Sequence, residues 1–273
     1  NNLMSQERPA SNMKTKIAPA IKKAKPITQI DSPEKFEQEH VHKIYNSISD
    51  HFSSTRQVPW PLVQLFIKQQ FQIGDFTIDV GCGNGKYLKH HQLNNFGLDY
   101  SINLCEIARQ NALISNGDGM NLPFKSNMFD GGISIAMLHH LSTDDRRLKC
   151  LQEIYRVMKP GSRFLISVWA FEQGVKQQDQ FIPWSQQVDN KEHYLKDQQA
   201  KPVDVCNQKV VIQDRFYHFF KQGELSQLGI QAGFEIDQQS AYNVWSQIYG
   251  QKSDEPLQNE YWDHDNWYAV FKK

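Results

Sequence analysis

The chain has 273 residues, of which 39% are hydrophobic and 22% charged, so it can bury one large core or two small ones and is not disordered throughout. No apolar run approaches the roughly 18 residues of a membrane-spanning helix, and no apolar segment typical of a secretory signal lies near the first residue. The four cysteines are scattered without a Cys-x-x-Cys pair, which argues against a zinc site or a disulfide framework and fits a reducing compartment.

The formal net charge of zero conceals a basic N-terminal segment. Residues 1–30 carry six basic side chains and one acidic side chain, mixed with Pro, Ala and Ser without periodicity. We therefore expect a disordered basic arm over residues 1–30 and one domain over residues 31–273. Such an arm is suited to holding a polyanion loosely, and a solvated tail without a partner is the alternative.

Two helices are predicted before the first strand of the sheet. Ser32, Pro33 and Glu34 form a helix start, with an N-cap residue, a proline in the first turn and an acid beside the N-terminus. Apolar residues then recur at helical spacing as far as Phe52. A second helix is predicted to begin near Trp60.

From residue 76 onward, short apolar strands alternate with helices. Strands are predicted at residues 76–80, 95–99, 112–115, 129–136 and 163–169, and helices at residues 86–91, 102–110 and 143–158. This alternation predicts an α/β fold with a Rossmann-like, doubly wound and mostly parallel sheet.

The last third of the chain contains a weakly patterned segment. Residues 170–213 are polar and rich in glutamine, and we expect them to form an insertion or lid. A helix over residues 224–232, ended by Gly233, and closing strands over residues 234–240 and 266–272 complete the predicted domain.

A glycine-rich loop directly follows the first predicted strand of the sheet. It contains Asp79, Gly81, Cys82, Gly83 and Gly85, and glycines in such a turn let the backbone bend tightly and approach a ligand. The loop lacks the Lys-Ser/Thr pair of a nucleotide triphosphatase. It also lacks the third glycine of the G-x-G-x-x-G pattern that is typical of a dinucleotide dehydrogenase.

Acidic residues follow the next two strands. Asp99 stands where a carboxylate can accept from both hydroxyls of a ribose, and Asp118, followed by Gly119, stands where one can accept from an adenine amino group. The alternatives are a turn or helix N-cap role for Asp99 and an ordinary turn at Asp118 and Gly119.

The glycine loop and these acids together resemble the class I S-adenosylmethionine-dependent methyltransferases. The resemblance implies S-adenosyl-L-methionine as the cofactor. The residues that it implies for cofactor binding are Asp79, Gly81, Cys82, Gly83, Gly85, Asp99, Asp118, Gly119 and Ala136.

Longer motifs outside the loop narrow the resemblance. They lie at residues 41–46, 51–56, 59–61, 81–88, 134–136, 139–140, 146–147, 169–173, 215–220, 223–225 and 266–267. Over residues 34–273 the chain resembles the eukaryotic tRNA (carboxymethyluridine) methyltransferases. That family esterifies the carboxylate of 5-carboxymethyluridine at wobble position 34 of tRNA, forming 5-methoxycarbonylmethyluridine. The resemblance also implies a small zinc-binding activator subunit in a heterodimer, and a cytoplasmic location with the nucleus as an alternative.

The chemistry implied by this resemblance requires no general base, because a carboxylic acid with a pKa near ~4 is already ionised at neutral pH. An Arg or a His is the natural group to hold the carboxylate. We therefore predict catalytic roles for Arg56, His139 and His140, with a surface loop cation and strand-end caps as the alternatives. The predicted substrate-binding residues are Trp60, Trp169, Arg215, Tyr217 and His218, for which a structural role is the alternative.

Three further expectations concern partners and charge. The tRNA anticodon loop is the expected nucleic-acid partner, because its unstacked bases can be read by aromatic and Arg side chains. The third strand of the sheet should lie at an edge, where its apolar residues 112–114 are suited to strand addition by the activator. Arg146 and Arg147 are expected to form salt bridges, with phosphate contact as the alternative, and no histidine spacing indicates a metal site.

Two other functions stay open at this stage. One is a methyltransferase that acts on a small-molecule carboxylic acid, and the other is a non-catalytic regulatory relative. The intact Asp79, glycine loop and Asp99 argue against the second, because a decayed enzyme does not need them.

Overall fold

The computed structural model describes residues 25–27, 30–90, 92–187, 203–205, 208–250 and 256–273. Its strands are β1 (Lys25–Pro26), β2 (Phe76–Val80), β3 (Asn94–Asp99), β4 (Leu113–Asn116), β5 (Phe129–Ile135), β6 (Met158–Trp169), β7 (Asp179–Gln187), β8 (Val203–Val205), β9 (Gln208–His218), β10 (Glu235–Ile236), β11 (Tyr261–Asp263) and β12 (Asn266–Lys272). Its α-helices are α1 (Pro33–Glu37), α2 (Lys43–Ser47), α3 (Ser49–Thr55), α4 (Pro61–Gln70), α5 (Ile102–Ala108), α6 (Asp144–Val157), α7 (Glu224–Gln231) and α8 (Gln238–Tyr249). A π-helix spans Gln38–His42, and 3-10 helices span Leu138–His140 and Phe171–Gln173. Most of the predicted basic arm, together with Cys206, lies outside the described residues.

The main sheet has the strand order β10-β12-β6-β5-β2-β3-β4, and β11 pairs with β12 as an eighth strand. Neighbouring strands from β4 to β6 are parallel, whereas β12 runs antiparallel between β6 and β10. The direction of strand succession reverses between β2 and β5, which is where an open α/β sheet leaves a crevice for ligands. The predicted Rossmann-like, doubly wound sheet is confirmed, and β4 lies at its edge as expected.

Helices cover both faces of this sheet, which explains why its central strands are apolar on both sides. Successive residues of β6 point to opposite faces. Phe164 and Ile166 pack in the core that also contains residues of α6 and α7. Leu165 and the neighbouring Val270 of β12 pack in the core formed with α4 and α8. Within the described part of the chain, no helix has the length and apolar composition needed to cross a bilayer.

A second, antiparallel sheet has the order β1-β7-β9-β8. It takes β7, β8 and the first half of β9 from the predicted insertion, and β1 from the segment predicted as a disordered arm. Strands β7 and β9 form its long central pair, in register from Asp179 opposite His218 onward. The sequence did not predict these strands. In β7, Gln180, Ile182 and Trp184 are buried and the residues between them are more exposed, which is the period-two alternation of a strand. The glutamines hide this alternation in the sequence, because polar residues occur at buried and exposed positions alike.

The helix predicted from residue 86 does not form. Residues 86–90 form a turn and an irregular segment instead. The side-chain amide of Asn95 donates to the carbonyl oxygens of Leu88 at 3.1 Å and His90 at 2.7 Å. Both carbonyl oxygens therefore accept from a side chain of β3 rather than from the backbone N–H groups of a following helical turn. The end of the predicted segment, residue 91, is outside the described residues.

The strand predicted over residues 234–240 is also wrong in its second half. Only Glu235 and Ile236 pair with β12, and helix α8 begins at Gln238. The side chain of Asp237 accepts from the backbone N–H of Ser240 at 2.9 Å, which caps the helix. The sequence contains this N-cap signal, but the apolar residues before it favoured a strand.

The N-terminal helices are fixed to the sheet domain through Glu37, whose side chain is fully buried. Its carboxylate accepts from Arg146 Nε at 2.8 Å and Nη2 at 2.7 Å, and from the backbone N–H and hydroxyl of Ser142. Arg147 donates to Leu141 O at 2.6 Å and forms an ion pair with Asp144. Both arginines therefore have the protein partners expected of salt-bridge residues.

Candidate active site

A cavity of about 1560 Å³ opens at the carboxyl ends of β2, β3, β5 and β6. The N-terminal helices contribute Tyr45, the segment after them contributes Arg56, and the second sheet contributes Trp184. Its volume exceeds the ~300–1,000 Å³ of a typical single-ligand pocket, so a cofactor and a nucleoside can both enter. The predicted site residues that line it are Arg56, Trp60, Asp79, Gly81, Cys82, Gly83, Asp99, Asp118, Gly119, Ala136, His139, His140, Trp169, Arg215 and Tyr217. Gly85 and His218 do not line it.

The glycine loop forms the floor of one end of the cavity. Gly81 has φ +81°, and a Cβ atom there would lie 2.3 Å from the side chain of Met137. Gly83 has φ +54° and donates its backbone N–H to Asp99 Oδ2 at 2.8 Å. Gly85 faces away from the cavity and lets the loop pack on α5, because its Cβ would lie 3.0 Å from that of Ala108. The loop conformation therefore depends on glycine at these positions.

Asp79 is the most unusual group of the site. Its side chain is 1% exposed, and neither carboxylate oxygen has a hydrogen-bond partner among the described residues. Burial, together with the charge of Asp99, raises the pKa of Asp79 to about 8, although Lys86 opposes the shift. A buried carboxylate without donors is costly, so this group is suited to accept from a cationic ligand.

The two other acids combine a turn role with a place at the cavity. Asp99 accepts from the backbone N–H groups of Gly83 and Ser101, and burial raises its pKa. Asp118 accepts from the backbone N–H of Met120 at 2.8 Å. Each carboxylate oxygen has a second lone pair, so these bonds leave acceptor capacity for ribose hydroxyls or an amino group. The predicted turn role and the predicted cofactor role are compatible.

Small residues complete the wall opposite these acids. A Cβ on Gly119 would lie 3.2 Å from Cys150 Sγ, so a larger residue there would require a small shift of its neighbours. Ala136 has φ +57°, an uncommon conformation for a residue other than glycine, directly after β5. Cys82 is a buried free cysteine whose thiol pKa is raised by burial. The adenosyl and amino acid groups of S-adenosylmethionine fit this set of acceptors and small residues.

Arg215 dominates the other end of the cavity. It is 5% exposed, and among the described residues it belongs to no ion pair. Its Nη1 donates to the hydroxyl of Tyr45 at 3.0 Å, and its buried Nε has no partner there. Its guanidinium carbon lies 4.7 Å from the ring centroid of Trp184 and 5.1 Å from that of Tyr217. A buried cation that contacts aromatic rings and no carboxylate is suited to an anionic ligand.

The two histidines have different hydrogen bonds. His140 Nδ1 donates to the carbonyl of Phe216 at 2.9 Å, so its Nε2 accepts from the hydroxyl of Tyr45 at 2.9 Å. Burial lowers the pKa of His140 to about 3, so its ring is neutral. His139 Nδ1 accepts from the backbone N–H of Trp169 at 3.2 Å, which places the proton of its neutral ring on Nε2. Burial lowers the pKa of His139 as well.

Arg56 and three aromatic residues line the remaining wall. The Arg56 guanidinium lies 5.5 Å from the Trp184 ring, and burial lowers its pKa. Trp169 and Tyr217 pack with ring centroids 4.5 Å apart. Trp60 contacts Lys86, whose ammonium lies 5.3 Å from its ring centroid.

His218 lies behind the cavity rather than in it, which corrects the prediction that it binds substrate. Its Nδ1 bonds Asp179 Oδ1 at 2.7 Å, and its Nε2 bonds Glu224 Oε1 at 2.6 Å. Burial lowers the pKa of His218, but these two hydrogen bonds outweigh it and the pKa is raised. These two hydrogen bonds connect the second sheet to α7, while the side chain of the preceding residue, Tyr217, faces the cavity.

Several residues that line the cavity were not predicted as site residues. They are His42, Tyr45, Lys86, Tyr100 and Trp184. His42 stacks on Tyr100 with ring centroids 3.6 Å apart, next to Asp99 in the chain. His42 and Tyr45 lie in the motif at residues 41–46 and Lys86 lies in the motif at residues 81–88, and these positions were the available signal. Within the described residues, no group of three or more His, Cys, Asp or Glu side chains is placed to hold a metal ion.

The sequence is similar to those of known methyltransferases. Residues 78–166 match the family described as "Methyltransferase domain". The chain is 34% identical over 247 residues to the tRNA (carboxymethyluridine(34)-5-O)-methyltransferase of Schizosaccharomyces pombe, covering 87% of this chain and 98% of that protein. It is 43% identical over 170 residues to the Saccharomyces cerevisiae protein of the same name, covering 57% of this chain and 60% of that protein. It is 46% identical over 146 residues to the Mus musculus tRNA (carboxymethyluridine(34)-5-O)-methyltransferase ALKBH8, covering 52% of this chain and 22% of that protein.

Solved structures share the fold at low sequence identity. The CcbJ methyltransferase of Streptomyces caelestis has a TM-score of 0.58 at 12% identity, over 85% of this chain and 98% of that chain. A chain of the complex between the Haloferax volcanii Trm112 methyltransferase activator and a methyltransferase has a TM-score of 0.51 at 15% identity, over 85% of this chain and 97% of that chain.

Proposed function

The chain belongs to the tRNA (carboxymethyluridine(34)-5-O)-methyltransferase family, and we propose that it esterifies the carboxylate of 5-carboxymethyluridine at position 34 of tRNA. The observation that carries the proposal is Arg215, a buried cation without a carboxylate partner among the described residues, in a cavity lined by aromatic rings. A methyltransferase acting on a small carboxylic acid is not favoured, because the relatives act on tRNA by name.

The cofactor is S-adenosyl-L-methionine, whose sulfonium supplies an electrophilic methyl group. Asp79 would accept from its amino group, Asp99 from its ribose hydroxyls and Asp118 from its adenine amino group. The glycine loop would let the backbone approach it closely. These roles fit the acceptor capacity of each carboxylate in the cavity.

The substrate carboxylate is a nucleophile without proton removal, so the residues of the site only have to hold and orient it. Arg215 retains donors besides the one used by Tyr45, and these would bind one carboxylate oxygen. Arg56 is the second cation of this wall. The neutral ring of His139 would donate its Nε2–H to the same ligand. No role as a general base is assigned to either histidine.

His140 acts on the substrate only through Tyr45, because both of its ring nitrogens have protein partners. It orients the Tyr45 hydroxyl, which in turn accepts from Arg215 Nη1 and lies 3.1 Å from the Tyr217 hydroxyl. We therefore reassign His140 from a catalytic residue to a positioning residue. A fixed guanidinium costs less reorganisation when the carboxylate binds.

The aromatic rings around Arg215 serve two further purposes. They exclude water, which favours a reaction in which a carboxylate and a sulfonium lose their opposite charges. They also offer faces on which an unstacked uracil ring can lie. Trp169, Trp184 and Tyr217 are the proposed contacts of the base.

The proposal includes a protein partner and a location. A small zinc-binding activator subunit would add a strand to the edge strand β4, where Leu113 is 67% exposed. A methyltransferase of similar fold has been solved with a Trm112 activator, which is consistent with such a partner. The proposed location is the cytoplasm, where mature tRNA is modified, with the nucleus as the alternative. Co-purification tests the partner, and a soluble monomer that is fully active alone would argue against it.

The experiment uses the chain co-expressed with the activator. It is incubated with methyl-labelled S-adenosylmethionine and tRNA that carries 5-carboxymethyluridine, beside tRNA with unmodified uridine. We expect label on the modified tRNA alone, released by mild base as methanol because an ester has formed. Label that survives base, or label on both tRNAs, would contradict the proposed reaction.

A further inference from the structure

Lys86 is a cation of the cavity to which no role has been assigned. Its ammonium lies 4.8 Å from the ring centroid of Tyr87 and 5.3 Å from that of Trp60, so the side chain is held along the cavity wall. It belongs to no ion pair or hydrogen bond within the described part of the chain. Burial, followed by the charge of Arg56, lowers the pKa of Lys86 to about 8.

Asp79 lines the same cavity, and its carboxylate, when ionised, has the charge opposite to that of the Lys86 ammonium. The two residues stand at the two ends of the glycine loop and both line the cavity, and the charge of each shifts the pKa of the other. Neither carboxylate oxygen of Asp79 has a partner among the described residues, and no ion pair joins it to Lys86. Both side chains line the cavity, so a ligand that carries a cation and an anion can contact both of them.

An α-amino acid is such a ligand, because its ammonium and carboxylate are attached to one carbon atom. The methionine end of the cofactor is an α-amino acid, and the glycine loop between Asp79 and Lys86 forms the adjoining floor. We propose that Lys86 binds the α-carboxylate of S-adenosylmethionine, while Asp79 accepts from its α-ammonium. This assignment rests on the proposed function, which requires that cofactor.

Arg56 and Lys86 differ in their aromatic contacts, although the charge of Arg56 also acts on Lys86. Arg56 lies against Trp184, which belongs to the second sheet and to the substrate end of the cavity. Lys86 lies against Trp60 and Tyr87, on the glycine-loop side. Lys86 would thus neutralise the carboxylate of the cofactor and leave Arg56 and Arg215 for the carboxylate of the uridine.

The test compares two ligands by isothermal titration calorimetry on the full chain without tRNA. S-adenosylmethionine carries the α-carboxylate, and decarboxylated S-adenosylmethionine retains the amine but lacks that group. We expect the unsubstituted protein to bind the carboxylated ligand more tightly, by roughly 10- to 100-fold for one charge-assisted hydrogen bond. Lys86→Met is expected to remove this preference by weakening only the carboxylated ligand. Lys86→Arg is expected to retain most of it.

Two controls make the outcome specific. Lys89→Met changes an exposed lysine three residues away that does not line the cavity, and it should leave both affinities unchanged. Arg56→Met should leave the preference between the ligands intact. Binding of decarboxylated S-adenosylmethionine by Lys86→Met reports that the variant is folded.

Several results would overturn the assignment. The first is that the unsubstituted protein binds both ligands equally tightly. The second is that Lys86→Met weakens the affinity for both ligands by the same factor. The third is that the preference for the carboxylated ligand disappears in Arg56→Met instead of Lys86→Met. The proposed function fails separately, because a protein that shows the expected ligand preference but transfers no methyl group to tRNA refutes only the tRNA reaction.

Discussion

Replacing Arg215 by Met should lower activity while leaving stability unchanged or higher. Methionine retains a long apolar side chain but removes every donor of the guanidinium. In the folded protein that guanidinium is 5% exposed and has no carboxylate partner among the described residues. A residue kept for folding would be expected to have such a partner, whereas a residue kept to bind an anion would not.

The substitution should affect activity strongly and stability weakly, and stability should stay the same or rise while activity falls. A charge-assisted hydrogen bond to the substrate carboxylate is worth ~1.5–3 kcal/mol, so kcat/KM should fall about 10- to 100-fold for each bond lost. In the folded protein, burial of the Arg215 charge costs several kcal/mol of desolvation. This cost is roughly offset by the hydrogen bond to Tyr45 and by cation–π contacts of ~0.5–2 kcal/mol each with Trp184 and Tyr217. We therefore expect the free energy of unfolding to change by less than about 1 kcal/mol, or to rise.

The assay combines methyl transfer to 5-carboxymethyluridine tRNA with urea unfolding, and Arg147→Met is the matched control. Arg147 is equally buried, but its guanidinium donates to Leu141 O and pairs with Asp144. That variant should lose ~1–3 kcal/mol of stability because a buried carbonyl loses its donor. Its kcat/KM should change much less than that of Arg215→Met. Parallel losses of stability and activity in Arg215→Met, as large as those of the control, would refute a ligand-binding role.

Three further predictions concern the loop, the second sheet and the buried acid. Gly81→Ala should lower the free energy of unfolding in urea by ~1–3 kcal/mol more than Gly161→Ala. The φ angles at the two positions are nearly equal, but only the Cβ at position 81 would clash with Met137. Equal losses in the two variants would contradict this reasoning. His218→Asn should destabilise the protein most at about pH 6 and least at about pH 9. Because the pKa of His218 is raised in the folded protein, its contribution to stability is complete below its unfolded pKa of ~6.5 and is lost as pH rises through the folded value. A difference in thermal unfolding between the variant and the unsubstituted protein that grows with pH would argue against this. Asp79→Asn should stabilise the cofactor-free protein, most of all above the pKa of about 8, because the raised pKa means that stability is lost as pH rises from ~4 through that value. The same variant should bind S-adenosylmethionine at least about tenfold more weakly, and unchanged affinity in calorimetry would exclude Asp79 as a cofactor ligand.

Local sequence signals predicted most of the main sheet. Buried parallel strands are short apolar runs, and β2 to β5 were predicted within a residue or two of their observed bounds. The end of β6 was also predicted, but β6 begins at Met158, five residues before the predicted start, where the sequence had predicted the end of a helix. Two errors share a cause. In the segment at residues 86–90 the side chain of Asn95 donates to backbone carbonyls, and at the start of α8 the side chain of Asp237 accepts from a backbone N–H. Hydrophobic periodicity does not report either bond.

The cofactor end of the site was predictable because it depends on contiguous residues. A glycine loop after a strand and an acid after the next strand reach the same sheet edge in any fold of this class. Their placement around the cavity follows from that rule. Lys86 was missed because a lysine after a glycine loop is ordinary in a sequence, and its lack of an ion pair is visible only in three dimensions.

The substrate end depended on the tertiary structure. His140 and Arg215 lie 95 and 170 residues from Tyr45 along the chain. Their hydrogen bonds to Tyr45 form only when the N-terminal helices and the second sheet meet over the cavity. The sequence by itself determined the sheet, the glycine loop and the cofactor acids, because their signals are local. Only the tertiary structure decided that Arg215 has no counter-ion among the described residues, that both ring nitrogens of His140 are bonded and that His218 faces away from the cavity, because each is a property of what surrounds a side chain.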